Sequence, residues 1–422
     1  MVFQEAKTEK GFAMLYLTVL VLAVVSAVAA SIFVLTYNEQ RILKSITKSN
    51  QAYFAAEAGL EDALLRFEKS MNWASAYSFP VGSSTANIAI SDLIGGARTI
   101  TAQGNSTNQI RKVQATYEIS SDKTSFFYGA QVGEGGLKMS SNSQIHGNVF
   151  SNGSILPEGS GRGRIDNDAY VASNGNRVEG VDVGGDGHAF AFEDCDVSGK
   201  IYYVSGGSVT DCPAGGGVQL QSEPISPLPL PISDSQILAW KNDAAAGGTI
   251  GPVNSDDSQN LGPVKINGNL RIYSNGSLNI RGTIWVTGNL TFENNAVIRL
   301  DSSYYGNSGM IIVDGAILLE NNAELYGSGQ AGSYLMLLGN SSSVSESSPA
   351  FRVKNNTQGD VIFYASAGLM VLENNAELRE ATAYKLFLKN NVEVTYQTGL
   401  KDVSFSAGPS GGWEVTNWQE IQ

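Results

Sequence analysis

Cys195 and Cys212 stand 17 residues apart in DCDVSGKIYYVSGGSVTDC, between strand-like segments. In an oxidising compartment a disulfide here closes a small loop and stabilises the fold by about 3 kcal/mol in the chain-entropy model. Two cysteines alone make a poor zinc site. The histidines, His146 and His188, are too few and too scattered to complete one, so neither a metal nor another cofactor is expected. Asp301, Asp314 and Glu320 could converge as the carboxylates of a glycan-cleaving site. Against that, Glu293, Glu320 and Glu373 recur at one repeat position, which reads as a solvated column outside a turn, and no catalytic residue is assigned. GGDGH from Gly184 lacks the strand and helix of a phosphate loop, and NSDDSQN from Asn254 is too irregular for a calcium loop.

The elements that carry these residues repeat themselves. LRIYSNGSLNI from Leu270, LTFENNAVIRL from Leu290, ILLENNAELYG from Ile317, VLENNAELRE from Val371 and LFLKNNVEVTY from Leu386 each place alternating apolar residues on both sides of a polar turn. Aligning Asn275, Asn295, Asn322, Asn356, Asn375 and Asn391 gives intervals of 20, 27, 34, 19 and 16 residues. Unequal intervals fit a propeller poorly and a parallel β-helix well, because insertions bulge from its turns. Asn accepts left-handed backbone angles at low cost, and stacked amides can bond from coil to coil, so the column is structural. Leu270, Ile272, Leu278, Ile280, Leu290, Phe292, Ile298 and Leu300 are expected to point inward. The same grammar at Asn142 and Asn152 places the start of the β-helix near Leu137.

A less regular Gly/Pro-rich insert is expected at about 158–262, with Pro224, Pro227, Pro229 and Pro231 in a polyproline-like strap and Asp234 capping a short helix through Lys241. The aromatic GGWEVTNW, with Trp413 and Trp418, is a candidate cover for a solenoid end. Residues 80–120 read as a small antiparallel connector, with turns at Gly95-Gly96 and Gly104-Asn105. Charged residues make up 16% of the chain and the net charge is −13. With no basic cluster in the distal region to neutralise phosphates, nucleic acid is excluded as a partner.

Phe12–Asn38 contains no charge over 27 residues. At about 1.5 Å per residue a helix of that length slightly exceeds about 30 Å of bilayer hydrocarbon, so it spans with some tilt. Beyond it Ile42, Ile46, Ser49, Tyr53, Ala56, Leu60, Leu64 and Phe67 recur every three or four residues, so the helix continues as an amphipathic segment over 39–70. Arg41, Lys44 and Lys48 lie near the bilayer, with Glu57, Glu61 and Asp62 further out, suiting anionic headgroups and then neighbouring subunits.

Lys10-Gly11 followed by Phe12 and a wholly apolar run resembles the type IV prepilin signal. The resemblance implies a leader over 1–11, cleavage between Gly11 and Phe12 by prepilin peptidase, and a retained helix. QAYFAAEAGLEDALLRF from Gln51 resembles the N-terminal region of PilX-type minor pilins, which implies that Tyr16, Tyr53, Glu57 and Leu60 belong to an assembly helix. Tyr16 stands at the fifth mature position, where most major pilins carry glutamate, and this departure resembles a minor or tip-located pilin. The fold expected is α+β: a long N-terminal transmembrane helix, a small antiparallel connector, then a right-handed parallel β-helix head over 125–422. The function implied is that of a non-enzymatic minor pilin or pseudopilin of a type IV pilus or type II secretion-like assembly. It would be single-pass in the cytoplasmic membrane, then at the pilus or cell surface, with other pilins and a surface glycan or cell-surface ligand as partners. The alternative is a membrane-anchored β-helical adhesin or polysaccharide-acting surface enzyme.

Overall fold

The computed structural model describes residues 9–68, 74–91, 97–119, 121–406 and 413–421. The first eight residues of the expected leader and the Gly95-Gly96 turn lie outside them. The fold is α+β, in two compact units: Met1–Asp92 with Arg98–Tyr117 and Val415–Gln422, and Leu93–Ala97 with Glu118–Glu414.

In the first unit, helix α1 runs unbroken over Glu9–Glu68. Neither Gly nor Pro occurs between Gly11 and Gly59, so nothing interrupts its hydrogen-bond ladder. The hydroxyls of Thr18, Ser31, Thr36 and Thr47 donate back to the carbonyls of Leu15, Ala27, Ile32 and Leu43, each at 2.9 Å. Each hydroxyl is thus satisfied within the helix, as apolar surroundings would require. The helix is long and apolar enough to cross a membrane, and its most apolar window has a mean hydropathy of 2.7 with none of it buried.

The distal half of α1 packs on an antiparallel sheet of β1 (Ala76–Val81), β2 (Ser84–Ile90), β3 (Ala97–Ser106), β4 (Gln109–Ile119) and the strand Trp413–Ile421. Small residues set the approach. Ala52, Ala55, Ala56, Leu60 and Ala63 are buried, with Ala86, Ile88, Ala102 and other alternate sheet residues. A Cβ on Gly104 would lie 1.8 Å from the Ala52 carbonyl oxygen, so only glycine lets β3 reach the helix there. Gly104-Asn105 is therefore strand, and the turn falls at Thr107-Asn108, both at positive φ. The buried stripe also differs from the predicted one, because Ile42 and Ile46 lie exposed ahead of the sheet. Trp413–Ile421 is a fifth strand of this sheet, not a solenoid cover; of the GGWEVTNW segment only Gly411 and Gly412 lie outside the described residues.

The second unit is a parallel β-helix with three strand rows, wound in a non-sequential order. Along one row the strands succeed one another as Val181–Val183, Gly163–Ile165, Gln144–His146, Glu393–Thr395, Glu377–Leu378, Gln358–Gly359, Glu324–Tyr326, Val297–Leu300, Ser277–Ile280 and Ser258–Leu261. The chain thus starts in the middle, at Ala130–Met139, and stacks coils one way as far as Val218–Gln221. It then crosses to the far end and winds back until Glu380–Leu388 pairs in parallel with Ala130–Met139. Incoming Ser121–Thr124 and outgoing Val403–Ser406 pair antiparallel, with Phe405 bridged to Ser308 of the stack.

Most of the expected insert at 158–262 is consequently coil, and only residues 222–248 leave the stack. The sequence hides this because glycine replaces apolar residues at inner positions. A Cβ on Gly163 would lie 2.5 Å from the Met139 Cβ, and one on Gly187 would lie 2.9 Å from the Phe192 ring. In the other stack the predicted inner residues, Leu270 to Leu300, are all buried. Each such side chain contributes about 1.5–3 kcal/mol.

The strap ties successive coils together. The Leu228 backbone exchanges two hydrogen bonds with the Asn152 amide, at 2.9 and 2.7 Å. Gln131 donates to the Pro229 carbonyl at 2.7 Å, and the Tyr364 hydroxyl to the Ile232 carbonyl at 3.1 Å. Helix α2 (Asp234–Ala246) is capped by Ser233 rather than Asp234 and runs past Lys241. Lys241 pairs with Asp314 at 2.6 Å, and the Lys265 amide donates to the Gly248 carbonyl at 2.9 Å. Between strap and solenoid lies a second apolar core, where Ile232, Ile237 and Trp240 meet Met310, Met336 and Tyr364.

Glu380 is fully buried on the same strand row, opposite Ile362. Its Oε1 accepts from Thr382 at 2.6 Å, whereas its Oε2 has no hydrogen-bond partner. Burial raises its pKa well above the carboxylate range, against the Thr382 hydrogen bond. With the folded pKa above the unfolded one, its contribution to stability is full below the unfolded value and is lost as pH rises through the folded one. Glu380→Gln should therefore melt higher than the native chain at about pH 8, with the gap closing toward about pH 4. Thermal unfolding at the two pH values measures it, and a gap independent of pH would refute it.

Candidate functional site

Two regions carry the residues singled out in the sequence, and each lies within one unit. In α1, Phe12 and Tyr16 are exposed, with ring centroids 5.6 Å apart. Leu60 is buried against the unit's own sheet, so it packs the fold rather than a neighbouring subunit. Tyr53 is half-buried, and a hydrogen bond to Glu57, with lesser burial and charge effects, raises its pKa. Asp62 is burdened by desolvation, yet hydrogen bonds from Arg66 at 2.7 Å and Tyr77 at 2.8 Å hold its pKa below the usual value. The AAEAG stretch thus has a local physical reason: Ala55 and Ala56 are buried small residues, a Cβ on Gly104 of β3 would lie 2.7 Å from the Ala56 nitrogen, and one on Gly59 would lie 3.1 Å from that of Ala86 in β2.

In the β-helix, Cys195 and Cys212 form a disulfide with Cα atoms 4.5 Å apart, in the stack that precedes the strap. Asn275, Asn295, Asn322, Asn356, Asn375 and Asn391 all adopt positive φ, between 56° and 64°. Each amide donates to the one before it at 2.9–3.1 Å, in spite of the unequal chain intervals. A second column runs beside it: Asn321, Asn355 and Asn374 donate to Asn294, Asn321 and Asn355, each at 2.9 Å. Asn142 shares the left-handed conformation, at φ 58°, on the first coil beyond the seam.

The carboxylates considered for catalysis do not act on a common point. Asp301 accepts from Asn279 at 2.7 Å and from the Ser303 amide at 3.1 Å. Asp314 accepts from the Trp285 indole at 2.8 Å besides pairing with Lys241. Glu320 pairs with Lys354 at 3.4 Å, Glu293 with Arg271 and Glu373 with Arg352 at 2.5 Å. The Glu293 carboxyl is held below its ordinary pKa chiefly by the Arg271 hydrogen bond. The repeated glutamates are ion-paired struts between coils.

Sequence reasoning missed a different column. Glu324, Gln358, Glu377, Glu393 and Gln144 are register partners on successive coils, facing outward on one strand row. Each stands two residues after a left-handed Asn, namely Asn322, Asn356, Asn375, Asn391 and Asn142. That spacing was the available signal, since i and i+2 share a strand face. A cavity of about 500 Å³ opens on this face at the seam, lined by Asn142, Gln144, Asn375, Glu377, Asn391 and Glu393 and by Arg162 and Arg164, the latter the register partner of Gln144. Further along, Tyr326, Gln358, Asp360, Glu377 and Arg379 line a second hollow of about 220 Å³. Among the described residues no group of three or more His, Cys, Asp or Glu could hold a metal ion.

No family model and no curated protein matches this chain. Among solved structures it is similar to the competence-associated pilin ComZ from Thermus thermophilus, at 12% identity and a TM-score of 0.19, covering 89% of this chain and 98% of that one. It is also similar to an ice-binding protein from the Antarctic ascomycete Antarctomyces psychrotrophicus, at 12% identity and a TM-score of 0.17, covering 64% of this chain and 95% of that one.

The Asn column makes a clear mutational prediction. Asn322→Ala loses two ladder hydrogen bonds and strains a left-handed position, at a combined cost of about 2–3 kcal/mol. Asn322→Gly keeps the backbone conformation and loses only the ladder, so it should cost less. Denaturant unfolding of the pair checks the order, and equal losses would mean that backbone conformation plays no part.

Proposed function

We propose that this chain is a minor pilin or pseudopilin of a type IV pilus or type II secretion-like assembly, whose β-helical head serves assembly and surface contact. The observation that carries this reading is the division of α1. Its N-terminal part is apolar, bare and of membrane-spanning length, while its distal part is buried on an antiparallel sheet of the same unit. A helix of this kind can exchange lipid for packing against other pilin helices without disturbing its own sheet.

On this reading prepilin peptidase cuts between Gly11 and Phe12, and other pilins contact the bare part of the helix. The head works by binding and not by catalysis, a reading supported by the separate partners of Asp301, Asp314 and Glu320. Tyr16, which brings no carboxylate to the fifth mature position, suits a subunit used in few copies rather than along the whole filament.

Gly11→Ala should block processing, so the protein from cells containing the peptidase keeps its leader mass while the native chain loses it. Mature native protein should appear in sheared filaments, and the variant should stay with the membranes. Identical N-termini for the two proteins would overturn the pilin reading. Correct trimming with no release on shearing would favour a permanently anchored adhesin.

A further inference from the structure

We infer that the outward face bearing Glu324, Gln358, Glu377, Glu393 and Gln144 binds a linear polysaccharide that carries free amino groups, lying along the coil stack. The inference deepens the surface-contact reading by naming the ligand class, and it rests on the head alone.

The first ground is geometric. The five side chains are register partners on consecutive coils, so they recur at the strand spacing of about 4.8 Å in a straight row. Beside it runs the exposed Asn column. Each ladder amide has two N–H donors and two acceptor lone pairs. The bonds along the stack use one of each at Asn322, Asn356 and Asn375, leaving an N–H and a lone pair of each exposed side chain outside the ladder. The face therefore offers, coil after coil, an amide donor and acceptor beside a carboxylate or a second amide. A repeating chain of hydroxyl-bearing rings can use such a lattice, whereas a point ion cannot, because the carboxylates form a line and do not converge.

The second ground is charge. Glu377 and Glu393 are exposed direct neighbours, and like charges placed directly opposite one another are unfavourable. No described residue donates a hydrogen bond to either carboxylate or pairs with it. Arg162 and Arg164, which line the same hollow, are already engaged with other carboxylates: Arg162 with Asp182 at 3.2 Å and with Asp194, Arg164 with Asp166 at 2.9 Å. Glu377 and Glu393 thus line a cavity of about 500 Å³ as acceptor-only groups whose arginine neighbours are paired with Asp182, Asp194 and Asp166. Ammonium groups on the ligand supply both the donors and the opposite charge, and uronic-acid or phosphate polymers are repelled. Attraction of this exposed kind weakens with salt.

The test uses the full-length chain in detergent, retained on chitosan beads and, in parallel, on chitin, cellulose and alginate beads. Chitosan should retain the native protein best, with at least tenfold weaker retention after Glu377→Gln/Glu393→Gln and no loss after Glu61→Gln, which removes a charge from the other unit. Both substitutions in the double variant are on exposed side chains, so its melting temperature should match the native one. Equal retention of the native and double-variant proteins would overturn the inference. So would equal loss in Glu61→Gln, preference for alginate, or no retention on chitosan. Because Gly11→Ala leaves the head intact, that unprocessed protein should bind chitosan normally, so failure of the pilin reading and failure of this one are separable.

Discussion

The parallel pairing of Ala130–Met139 with Glu380–Leu388 is the contact on which the β-helix depends. A parallel sheet row ends in unpaired N–H and C=O groups wherever it stops, and two separate stacks would expose such edges in the middle of the molecule as well as at its ends. Joining the first coil to the last removes the inner pair of edges and makes one stack from two. It also merges their apolar interiors, so that Leu137, Met139, Leu386 and Leu388 share one core with residues far apart in the chain. The antiparallel pair Ser121–Thr124 and Val403–Ser406 joins the chain's entry to its exit. The solenoid is thereby an insertion between β4 and Trp413–Ile421, two neighbouring strands of the other unit's sheet.

Much of this was legible in the sequence wherever the local pattern sufficed. The long apolar helix, the antiparallel strands after it and the Asn-centred coils from Leu270 onward follow from periodicity and from the backbone preference of Asn. Unequal intervals between the asparagines did not obscure the column, because inserted residues leave through the turns. The coils at 163–221 were not legible, since Gly163 and Gly187 stand inside where larger neighbours fill the space, and inward glycine looks like loop. Gly104 misled in the same way: it reads as a turn but marks close packing of strand on helix. The long-range order of the coils was beyond reach, because pattern reports which face a residue takes and not which coil comes next.

The candidate site divides along the same line. The Asn column was visible as a repeat, and the structure adds that its amides are joined into a ladder. The glutamates noticed in the sequence, Glu293, Glu320 and Glu373, are the paired ones, which is why they recur. The unpaired row, with Glu377 and Glu393, is less regular, having Gln358 and Gln144 among its members, and so stood out less.

The strap is in effect a gauge of coil number. From Ile225, bridged to Ala172, to Ile232 at Tyr364, seven residues cross four coil steps. Extended chain at about 3.1 Å per residue covers about 22 Å, and four steps at about 4.8 Å need about 19 Å. Helix α2, with 13 residues at about 1.5 Å each, covers about 20 Å while the rows advance four more steps to Lys265. A coil gained or lost under either half must be matched by one or two extended residues or by nearly a full helical turn. Growth of this solenoid in evolution is therefore metered by a segment that belongs to none of its coils.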